Sequence, residues 1–252
     1  MRRNTLITGA SSGLGEGMAR HLAASGHHLA ITARRVERLE ALRDELVAAH
    51  PGIRVSVHAL DVNDHDAVFR VFGEAADALG GLDRVIVNAG LGKGGRIGTG
   101  KFEANRQTAM TNFVAALAQS EAAMQHFYER NAGHLVLISS MSAMRGMPSS
   151  MTTYAATKAG VAHLAEGIRS DLIGRKGHDI KVTTLFPGYI ASEMNEQVAQ
   201  EQRLMVDTET GTAAMVKYIE KEVVDAAVPA WPWAPIGQVM KHAPLSVVRK
   251  LV

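Results

Sequence analysis

Short apolar runs alternate along this chain with longer segments in which apolar residues recur every three or four positions. The short runs are typical of buried strands, and they lie at 5–8, 28–33, 53–60, 83–90, 134–140, 180–188 and 226–230. The segments between them have helical spacing, as at Leu14, Met18 and Leu22. Strands that are apolar on both faces and alternate with helices indicate a parallel sheet that is covered on both sides. With right-handed crossovers, this pattern predicts a doubly wound α/β fold of about seven strands.

The alternation continues without an internal repeat, a low-complexity tract or a linker up to residue 228. The length of 252 residues suits a single α/β domain of this kind. We therefore interpret residues 1–228 as one domain. Residues 229–252 contain prolines and tryptophans, and we interpret them as an apolar extension of the same domain.

Composition excludes several classes of protein. Apolar residues make up 46% of the chain and charged residues 21%, which is sufficient for a sizeable buried core. The net charge of +2 comes without a long basic run, so we expect no nucleic-acid surface. There is no cysteine, and the eleven histidines show no metal-binding spacing, so we expect no metal site. No signal peptide or membrane-spanning run is visible, and we expect a soluble, cytoplasmic protein.

A glycine-rich turn follows the first predicted strand and opens the first helix, in the sequence LITGASSGLGEGMA at 6–19. Glycine at Gly9, Gly13 and Gly15 permits a tight turn and lets a pyrophosphate approach the backbone. The N-terminus of the helix then faces that anion with free N–H groups. The strand–turn–helix context favours a dinucleotide site over the alternative, a tight turn that only packing requires.

The end of the second predicted strand bears on which dinucleotide would bind. NAD-binding proteins usually place an acidic residue there, which holds the ribose 2′-hydroxyl. Here the strand ends in ITARR, so Ala33 and Arg34 occupy that place. Because an arginine can pair with a 2′-phosphate, we expect the cofactor to be NADP(H). The alternative is that Arg34 and Arg35 simply begin a solvated helix.

A tyrosine and a lysine four residues apart, Tyr154 and Lys158, lie in the sequence TTYAATKAG. In a helix, residues at this spacing share one face, and the residues around this pair are small. Taken alone, the pair is more typical of a surface lysine beside a half-buried tyrosine. The alternative is a chemical pair, and the rest of the chain has to support it.

Together, the glycine turn and the tyrosine–lysine pair resemble the short-chain dehydrogenase/reductase family, in the branch whose chains have about this length. The resemblance runs from about residue 4 to residue 192, and the motifs occur in the family's order. The further motifs are LDV at 60–62, NAG at 88–90, the asparagine of MTNFVAA, ISS at 138–140 and PG at 187–188. The resemblance implies a Rossmann-type fold and a catalytic set of Asn112, Ser140, Tyr154 and Lys158. The residues that it implies for cofactor binding are Gly9, Ser11, Ser12, Gly13, Leu14, Gly15, Arg34, Arg35, Asp61, Val62, Asn88, Ala89, Gly90, Tyr154, Lys158, Pro187, Gly188, Ile190 and Ser192.

The resemblance also implies a reaction and a role for each catalytic residue. A free phenol has a pKa of about 10, and a Lys158 cation is expected to lower the pKa of Tyr154 so that it acts as general acid and base. Lys158 would also bind the nicotinamide ribose. Ser140 would hold the substrate oxygen, and Asn112 a water in a proton relay. Hydride transfer then interconverts a carbonyl and a secondary alcohol. The alternative is a catalytically silent NADP-binding sensor or scaffold.

Two positions depart from the family pattern. Val87 stands where the family usually has the first asparagine of its fourth-strand motif, so one hydrogen bond at that strand end is not expected. Ser140 lies one residue farther from Tyr154 than is usual in the family. Ser139 and Ser142 are therefore alternatives for the catalytic serine, although Ser140 fits the end of the strand best.

A second phosphate-binding motif is incomplete. The sequence GRIGTGKF at 95–102 matches a P-loop except at its last position. There Phe102 replaces the serine or threonine that would hold magnesium. Since the glycine turn already accounts for phosphate binding, we expect no nucleotide triphosphate at this second motif.

Methionines surround the predicted catalytic residues. They are Met141, Met144, Met147 and Met151 before the tyrosine, and Met194 and Met205 after the PG motif. Because methionines form adaptable apolar walls, we expect a small-molecule carbonyl or alcohol substrate that is apolar and bulky. The alternative is that these methionines only fill gaps in the core.

The tail at 228–252 contains both tryptophans, Trp231 and Trp233, between prolines at every third position. That spacing predicts an extended run rather than a helix, followed by short amphipathic helical pieces. We expect this tail to pack on the substrate pocket or on a partner subunit of a homo-oligomer, a dimer or a tetramer. Contact of the tail with a membrane surface is the less favoured alternative.

Overall fold

A computed structural model describes residues 2–194 and 204–251 of the chain. Its centre is a seven-stranded parallel sheet with the strand order β3-β2-β1-β4-β5-β6-β7. The strands are β1 (Asn4–Thr8), β2 (His28–Ala33), β3 (Val55–Ala59), β4 (Arg84–Val87), β5 (Ala132–Ile138), β6 (Asp179–Pro187) and β7 (Asp225–Val228). Each of the seven runs that predicted a strand overlaps one of them.

Helices cover both faces of this sheet. They are α1 (Gly13–Ala24), α2 (Val36–Ala49), α3 (His65–Leu79), α4 (Phe102–Ala109), α5 (Ala115–Arg130), α6 (Met151–Ile173), α7 (Thr208–Glu220), α8 (Ala230–His242) and α9 (Leu245–Leu251). A π-helical turn at Met110–Val114 joins α4 to α5, and a 3-10 turn at Met141–Met144 precedes α6. The predicted doubly wound, Rossmann-type fold is therefore confirmed.

Two apolar cores lie on opposite faces of the sheet. One contains Phe72 of α3 and Phe127 of α5, and the other contains Met18 of α1 and Met215 of α7. Burial on both faces explains why the strand sequences are apolar without alternation. The strand order changes direction between β1 and β4. In folds of this kind, ligands bind at that point, outside the carboxyl ends of the strands.

The first part of the tail differs from its prediction. Instead of an extended run, α8 is present, with a kink at Trp231, whose φ of −100° and ψ of 131° are not helical. Regular helix therefore follows from Pro232, and Pro235 lies in its first turn. The first N–H groups of a helix have no partner within it, so prolines are tolerated there. The proline spacing marks the start of a helix, and the prediction of an extended segment was wrong.

The tail packs on its own chain. Met240 of α8 and Val248 of α9 are buried in a small cluster with Met147 and Ala155. That cluster joins the tail to α6 and to the segment that precedes it. Within the two described stretches of the chain, no helix is long and apolar enough to cross a membrane.

Candidate active site

The glycine turn joins β1 to α1 and is packed too tightly for larger residues. Gly9 and Gly13 have φ values of 66° and 56°, a region that favours glycine. A Cβ atom on Gly15 would lie 2.3 Å from the carbonyl oxygen of Gly9, and one on Gly9 would lie 2.9 Å from Cα of Ala89. α1 begins at Gly13, so its first N–H groups are available at the turn. This cradle of backbone fits a pyrophosphate.

The carboxyl end of β4 is tied to the glycine turn through Thr8. The backbone N–H groups of Asn88 and Ala89 donate to Oγ1 of Thr8 over 3.1 and 3.2 Å. The side chain of Asn88 donates to the carbonyl oxygen of Thr8 over 3.0 Å. Val87, the departure from the family pattern, is buried in the apolar core. Thr8 and Asn88 thus hold the two strand ends together without an asparagine at that position.

The two arginines that follow β2 have different surroundings. Arg34 is largely exposed, and its Nη1 lies 4.0 Å from Oδ2 of Asp61. Arg35 donates to the hydroxyl groups of Ser11 and Ser12, over 3.2 and 2.6 Å. The contacts of Arg35 with the glycine turn count against a purely solvated role for Arg35, whereas the alternative stays open for Arg34.

The segment after β3 connects to the π-helical turn. Val62 is buried in the core, whereas Asp61 accepts hydrogen bonds from the backbone and side-chain amides of Asn63, each over 3.0 Å. Asn63 in turn accepts a hydrogen bond from the hydroxyl of Thr111 over 3.1 Å. Asp61 is thereby placed opposite Arg34, beside the end of β2.

Asn112 lies in the π-helical turn and is almost fully buried, at 1% exposure. Its Oδ1 accepts from the N–H of Leu91 over 2.7 Å, and its Nδ2 donates to the carbonyl of Leu91 over 2.9 Å. A Cβ atom on Gly90 would lie 3.3 Å from Oδ1 of Asn112 and 3.6 Å from Nζ of Lys158. Asn112 therefore fixes the loop after β4, and Gly90 lies close to both Asn112 and Lys158.

Of the three candidate serines, Ser140 is the one beside the tyrosine. A hydrogen bond joins the side chains of Ser140 and Tyr154. Ser142 donates its hydroxyl to Oγ of Ser140 over 3.0 Å. Ser139 is buried, and its hydroxyl donates to the carbonyl of Lys158 over 2.8 Å. The geometry therefore favours Ser140, with Ser142 as its neighbour.

The tyrosine–lysine pair lies on one face of α6, with Nζ of Lys158 5.8 Å from the centre of the Tyr154 ring. Lys158 is buried, and its Nζ donates to the carbonyl of Ile138 over 2.8 Å. Burial lowers the pKa of Lys158 to about 8. Burial also raises the pKa of Tyr154, and the hydrogen bond with Ser140 opposes this only in part. Loss of water thus dominates the pKa of Tyr154 in this arrangement, and its lowering by Lys158 stays a prediction.

The PG motif ends β6 beside β7 and under the tail. Pro187 is paired with Val228, and the N–H of Gly188 donates to the carbonyl of Val228 over 2.9 Å. A Cβ atom on Gly188 would lie 2.1 Å from the indole of Trp233. The indole also meets the ring of Tyr189 edge-on, with 5.4 Å between the ring centres. The tail thus reaches the turn that the family resemblance assigns to the nicotinamide.

The segment after Tyr189 returns to the glycine turn. Ile190 is buried in the core on that face of the sheet. Cβ of Ser192 lies 3.2 Å from the position that a Cβ on Gly13 would take. The next residue, Glu193, accepts a hydrogen bond from Arg35 over 3.0 Å. The last motif of the resemblance therefore lies against the first one.

Sequence reasoning missed Thr8 and Glu193 as contributors to this site, and it offered the substrate pocket as one place for the tail without assigning Trp233 a contact there. Thr8 directly precedes the glycine turn, and Glu193 directly follows the last motif, so adjacency to a motif was the available signal. Trp233 lies beyond the resemblance, and nothing in the sequence connects it to Gly188. Its place follows only from the fold of the tail.

Comparisons with known proteins identify the family of this chain. A family model described as short chain dehydrogenase matches residues 3–203. A curated relative from Mycobacterium tuberculosis, named an uncharacterized oxidoreductase, is 52% identical over 249 residues, which cover 99% of this chain and 97% of the relative. A match of this extent spans the glycine turn, the catalytic candidates and most of the tail.

Two solved structures share the architecture. One is an alcohol dehydrogenase from the archaeon Thermococcus sibiricus complexed with 5-hydroxy-NADP, with a TM-score of 0.78, 25% identity and coverage of 88% of this chain and 94% of that one. The other, a short chain dehydrogenase/reductase from Burkholderia phymatum in complex with NAD, has a TM-score of 0.84, 20% identity and coverage of 99% and 97%, and it shows the fold alone. From the family match, the fold and the cradle that fits a nicotinamide dinucleotide, we conclude that the chain belongs to the short-chain dehydrogenase/reductase family of oxidoreductases.

Proposed function

We propose that the protein is an NADP(H)-dependent oxidoreductase that interconverts a carbonyl and a secondary alcohol, with Tyr154 as general acid and base. The observation that carries this proposal is the meeting of four side chains beside the ends of β4 and β5. Ser140 is hydrogen-bonded to Tyr154, and Lys158 lies on the same face of α6. Asn112 and Lys158 both lie beside Gly90. The glycine turn is at the neighbouring strand end.

The proton is the part of the reaction that this chain's own residues handle. A nicotinamide cofactor, when bound, supplies the hydride chemistry. Because burial raises the pKa of Tyr154, its hydroxyl is protonated at neutral pH. A protonated phenol suits carbonyl reduction, since it can give its proton to the oxygen that gains negative charge. Ser140, hydrogen-bonded to the same phenol, would hold that oxygen.

Lys158 supplies positive charge beside the tyrosine. With a pKa of about 8, the ammonium is mostly protonated at neutral pH. An ammonium has three N–H donors, of which one is used by the carbonyl of Ile138. We propose that the others bind the ribose hydroxyls of the cofactor. The side-chain amide of Asn112 accepts from the N–H of Leu91 and donates to its carbonyl. We therefore propose that Asn112 positions the loop after β4 beside Lys158.

The preference for NADP(H) is supported by the charge at the end of β2. Ala33 ends the strand where NAD-binding proteins usually have an acid, and Arg34 and Arg35 follow it. An arginine there favours a 2′-phosphate through a charge-assisted hydrogen bond. Of the two structural neighbours, one is complexed with 5-hydroxy-NADP and the other with NAD, so the proposal rests on the charges of this chain's own residues.

We further propose that the substrate is apolar. Met141 and Met144 lie in the 3-10 turn directly after Ser140. These side chains make the surroundings of the serine adaptable and apolar. Met147 is different, because it is buried in the tail cluster and fills a gap there.

A cofactor-consumption assay with a panel of ketones and secondary alcohols tests this function. We expect NADPH oxidation with long-chain or polycyclic ketones and little with small polar ones. Turnover of small polar carbonyls alone would contradict the apolar substrate. No turnover of any member of the panel, with NADPH binding intact, would favour a silent sensor over an enzyme.

A further inference from the structure

The carboxylate of Glu193 lies among basic groups at the edge of the cofactor cleft. Nη1 of Arg35 donates to its Oε2 over 3.0 Å, and Nη1 of Arg38 donates to its Oε1. Ser12 is hydrogen-bonded to the same carboxylate. The hydrogen bonds from Arg38 and Arg35 lower the pKa of Glu193 to about 2. Glu193 is therefore an anion at neutral pH, held by two guanidinium groups and a hydroxyl.

The donors that hold Glu193 are the donors that a phosphate monoester requires. Guanidinium groups bind phosphate oxygens through paired N–H groups, and hydroxyl groups add further donors. Arg35 directly precedes α2 and is bonded to the serines of the glycine turn. In this fold, the residues after the second strand contact the ribose that carries the 2′ substituent. A 2′-phosphate and the carboxylate of Glu193 would therefore need the same groups.

We propose that Glu193 is an internal competitor for the 2′-phosphate of NADP(H), and thus a residue that sets cofactor specificity. This inference rests on the proposed preference for NADP(H) and adds Arg38 and Glu193 to its determinants. A phosphate monoester carries more negative charge than a carboxylate, so it displaces Glu193 from Arg35 and Arg38. NAD(H) carries a hydroxyl there and leaves the ion pairs in place. The affinity for NADP(H) is consequently lower than the arginines alone would give.

Arg34 lies outside this cluster. Its Nη1 is 4.0 Å from Asp61, at the outer limit of an ion pair, and its side chain is 68% exposed. Loss of the charge on Glu193 therefore acts through Arg35 and Arg38 and leaves the surroundings of Arg34 unchanged. The two contributions to the preference for a 2′-phosphate can be measured separately.

Calorimetric titration of the full chain with 2′,5′-ADP and with AMP tests the inference, because these two ligands differ by the 2′-phosphate. We expect Glu193→Gln to increase the affinity for 2′,5′-ADP about fivefold and to change the affinity for AMP less than about twofold. The matched control is Glu103→Gln, which removes the same charge from an exposed pair with Arg106 on α4. The control should change the affinity of neither ligand.

A second variant makes the competition itself measurable. Arg38→Gln should lower the affinity for 2′,5′-ADP and leave the affinity for AMP unchanged. When Glu193→Gln is added to Arg38→Gln, it should increase the affinity for 2′,5′-ADP less than it does in the wild type. The inference is overturned if the wild type prefers 2′,5′-ADP but Glu193→Gln leaves its affinity unchanged or tightens both ligands equally. Equal binding of the two ligands by the wild type would instead remove the proposed preference for NADP(H), and this inference with it.

Discussion

The candidate active site has an exposed end, at Arg35, Arg38 and Glu193, and a buried end, at Tyr154 and Lys158. The surroundings of the charged groups shift their pKa values for different reasons at the two ends. At one end Arg35, Arg38 and Glu193 are exposed and paired, and hydrogen bonds from arginine lower the pKa of Glu193 to about 2. At the other end, burial lowers the pKa of Lys158 to about 8 and raises that of Tyr154. Partners stabilise the charged form in the first case, and loss of water destabilises it in the second.

This difference determines what a substitution can change. Exposed ion pairs contribute only about 0–1 kcal/mol to the free energy of unfolding, so residues there can be exchanged with little effect on the fold. A buried ammonium destabilises the fold by several times as much unless partners compensate. Substitutions at the buried end should therefore change reaction and stability together, whereas those at the exposed end should change only binding.

The largest expected effect is on the proton step at the buried end. Tyr154→Phe removes the phenol proton and should lower kcat about 1,000-fold, while the Kd for NADPH changes less than about twofold. Steady-state kinetics and a fluorescence titration measure the two quantities. Tyr128→Phe is the matched control, because Tyr128 stacks on Arg175 away from the site and should keep full activity. Retention of a tenth or more of the activity in Tyr154→Phe would mean that another group supplies the proton.

The second largest expected effect is on the free energy of unfolding, because the buried ammonium of Lys158 destabilises the fold. The pKa of Lys158 falls from 10.5 to about 8 on folding, so the unfolded chain binds more protons between these values. The free energy of unfolding of the wild type should then rise by about 3 kcal/mol across that window, and Lys158→Met should lack this rise. The variant should be inactive yet at least as stable as the wild type at neutral pH.

Urea unfolding at neutral pH and at about pH 10 checks this linkage. Lys181→Met, at an exposed lysine on β6, is the control and should keep the pH dependence of the wild type. A Lys158→Met variant that is less stable by the same amount at both pH values would show that packing, and not the charge, governs this position.

At the exposed end the expected effect is smaller. The wild type should bind NADPH about tenfold tighter than NADH, or more, and Arg34→Asp should reverse this order because an acid at that place accepts the ribose 2′-hydroxyl. Titration of both cofactors against both proteins measures the four affinities. Thermal unfolding of Arg34→Asp should match the wild type, since the side chain is exposed. Tighter binding of NADH by the wild type would contradict the assignment.

The smallest expected effect is the salt dependence of cofactor affinity, because dissolved ions screen charges at the exposed end and not at the buried end. Raising the salt concentration from about 0.05 M to about 0.5 M should lower the affinity for NADPH about threefold and the affinity for NADH much less. Counterions screen the exposed arginines, and only NADPH has a 2′-phosphate for those arginines to bind. The pH dependence of kcat, which reflects the buried end, should stay unchanged. Equal salt dependence for both cofactors would place the charge discrimination away from the surface.

The positions of the strands and the glycine turn could be predicted because local sequence determines them. The apolar runs mark strands that are buried on both faces, and Gly9 has the positive φ that its motif requires. Ser140, Tyr154 and Lys158 come together because the end of β5 and one face of α6 are neighbours in this topology. The sequence therefore predicted which residues meet, and most of the sheet that brings them together.

What could not be predicted depends on contacts distant in sequence. The pKa of Tyr154 depends on how much water the folded chain leaves around the phenol, and motif spacing contains no information about that. Glu193 meets Arg35 across 158 residues of sequence. The prolines of α8 led to the wrong prediction because proline suits both an extended run and the first turn of a helix. The burial of Met240 against residues distant in sequence accompanies the helix that forms.

The contrast between the two tryptophans has an optical consequence. Both lie in α8, but Trp231 is 79% exposed and Trp233 is 6% exposed. A water-soluble quencher such as iodide should therefore reach the first and not the second. In a Trp231→Phe variant, all tryptophan emission would come from an indole that lies against Gly188. Reduced nicotinamide absorbs light at the wavelengths that tryptophan emits. Trp233, beside the end of β6, can therefore act as a fluorescence donor to a bound reduced cofactor.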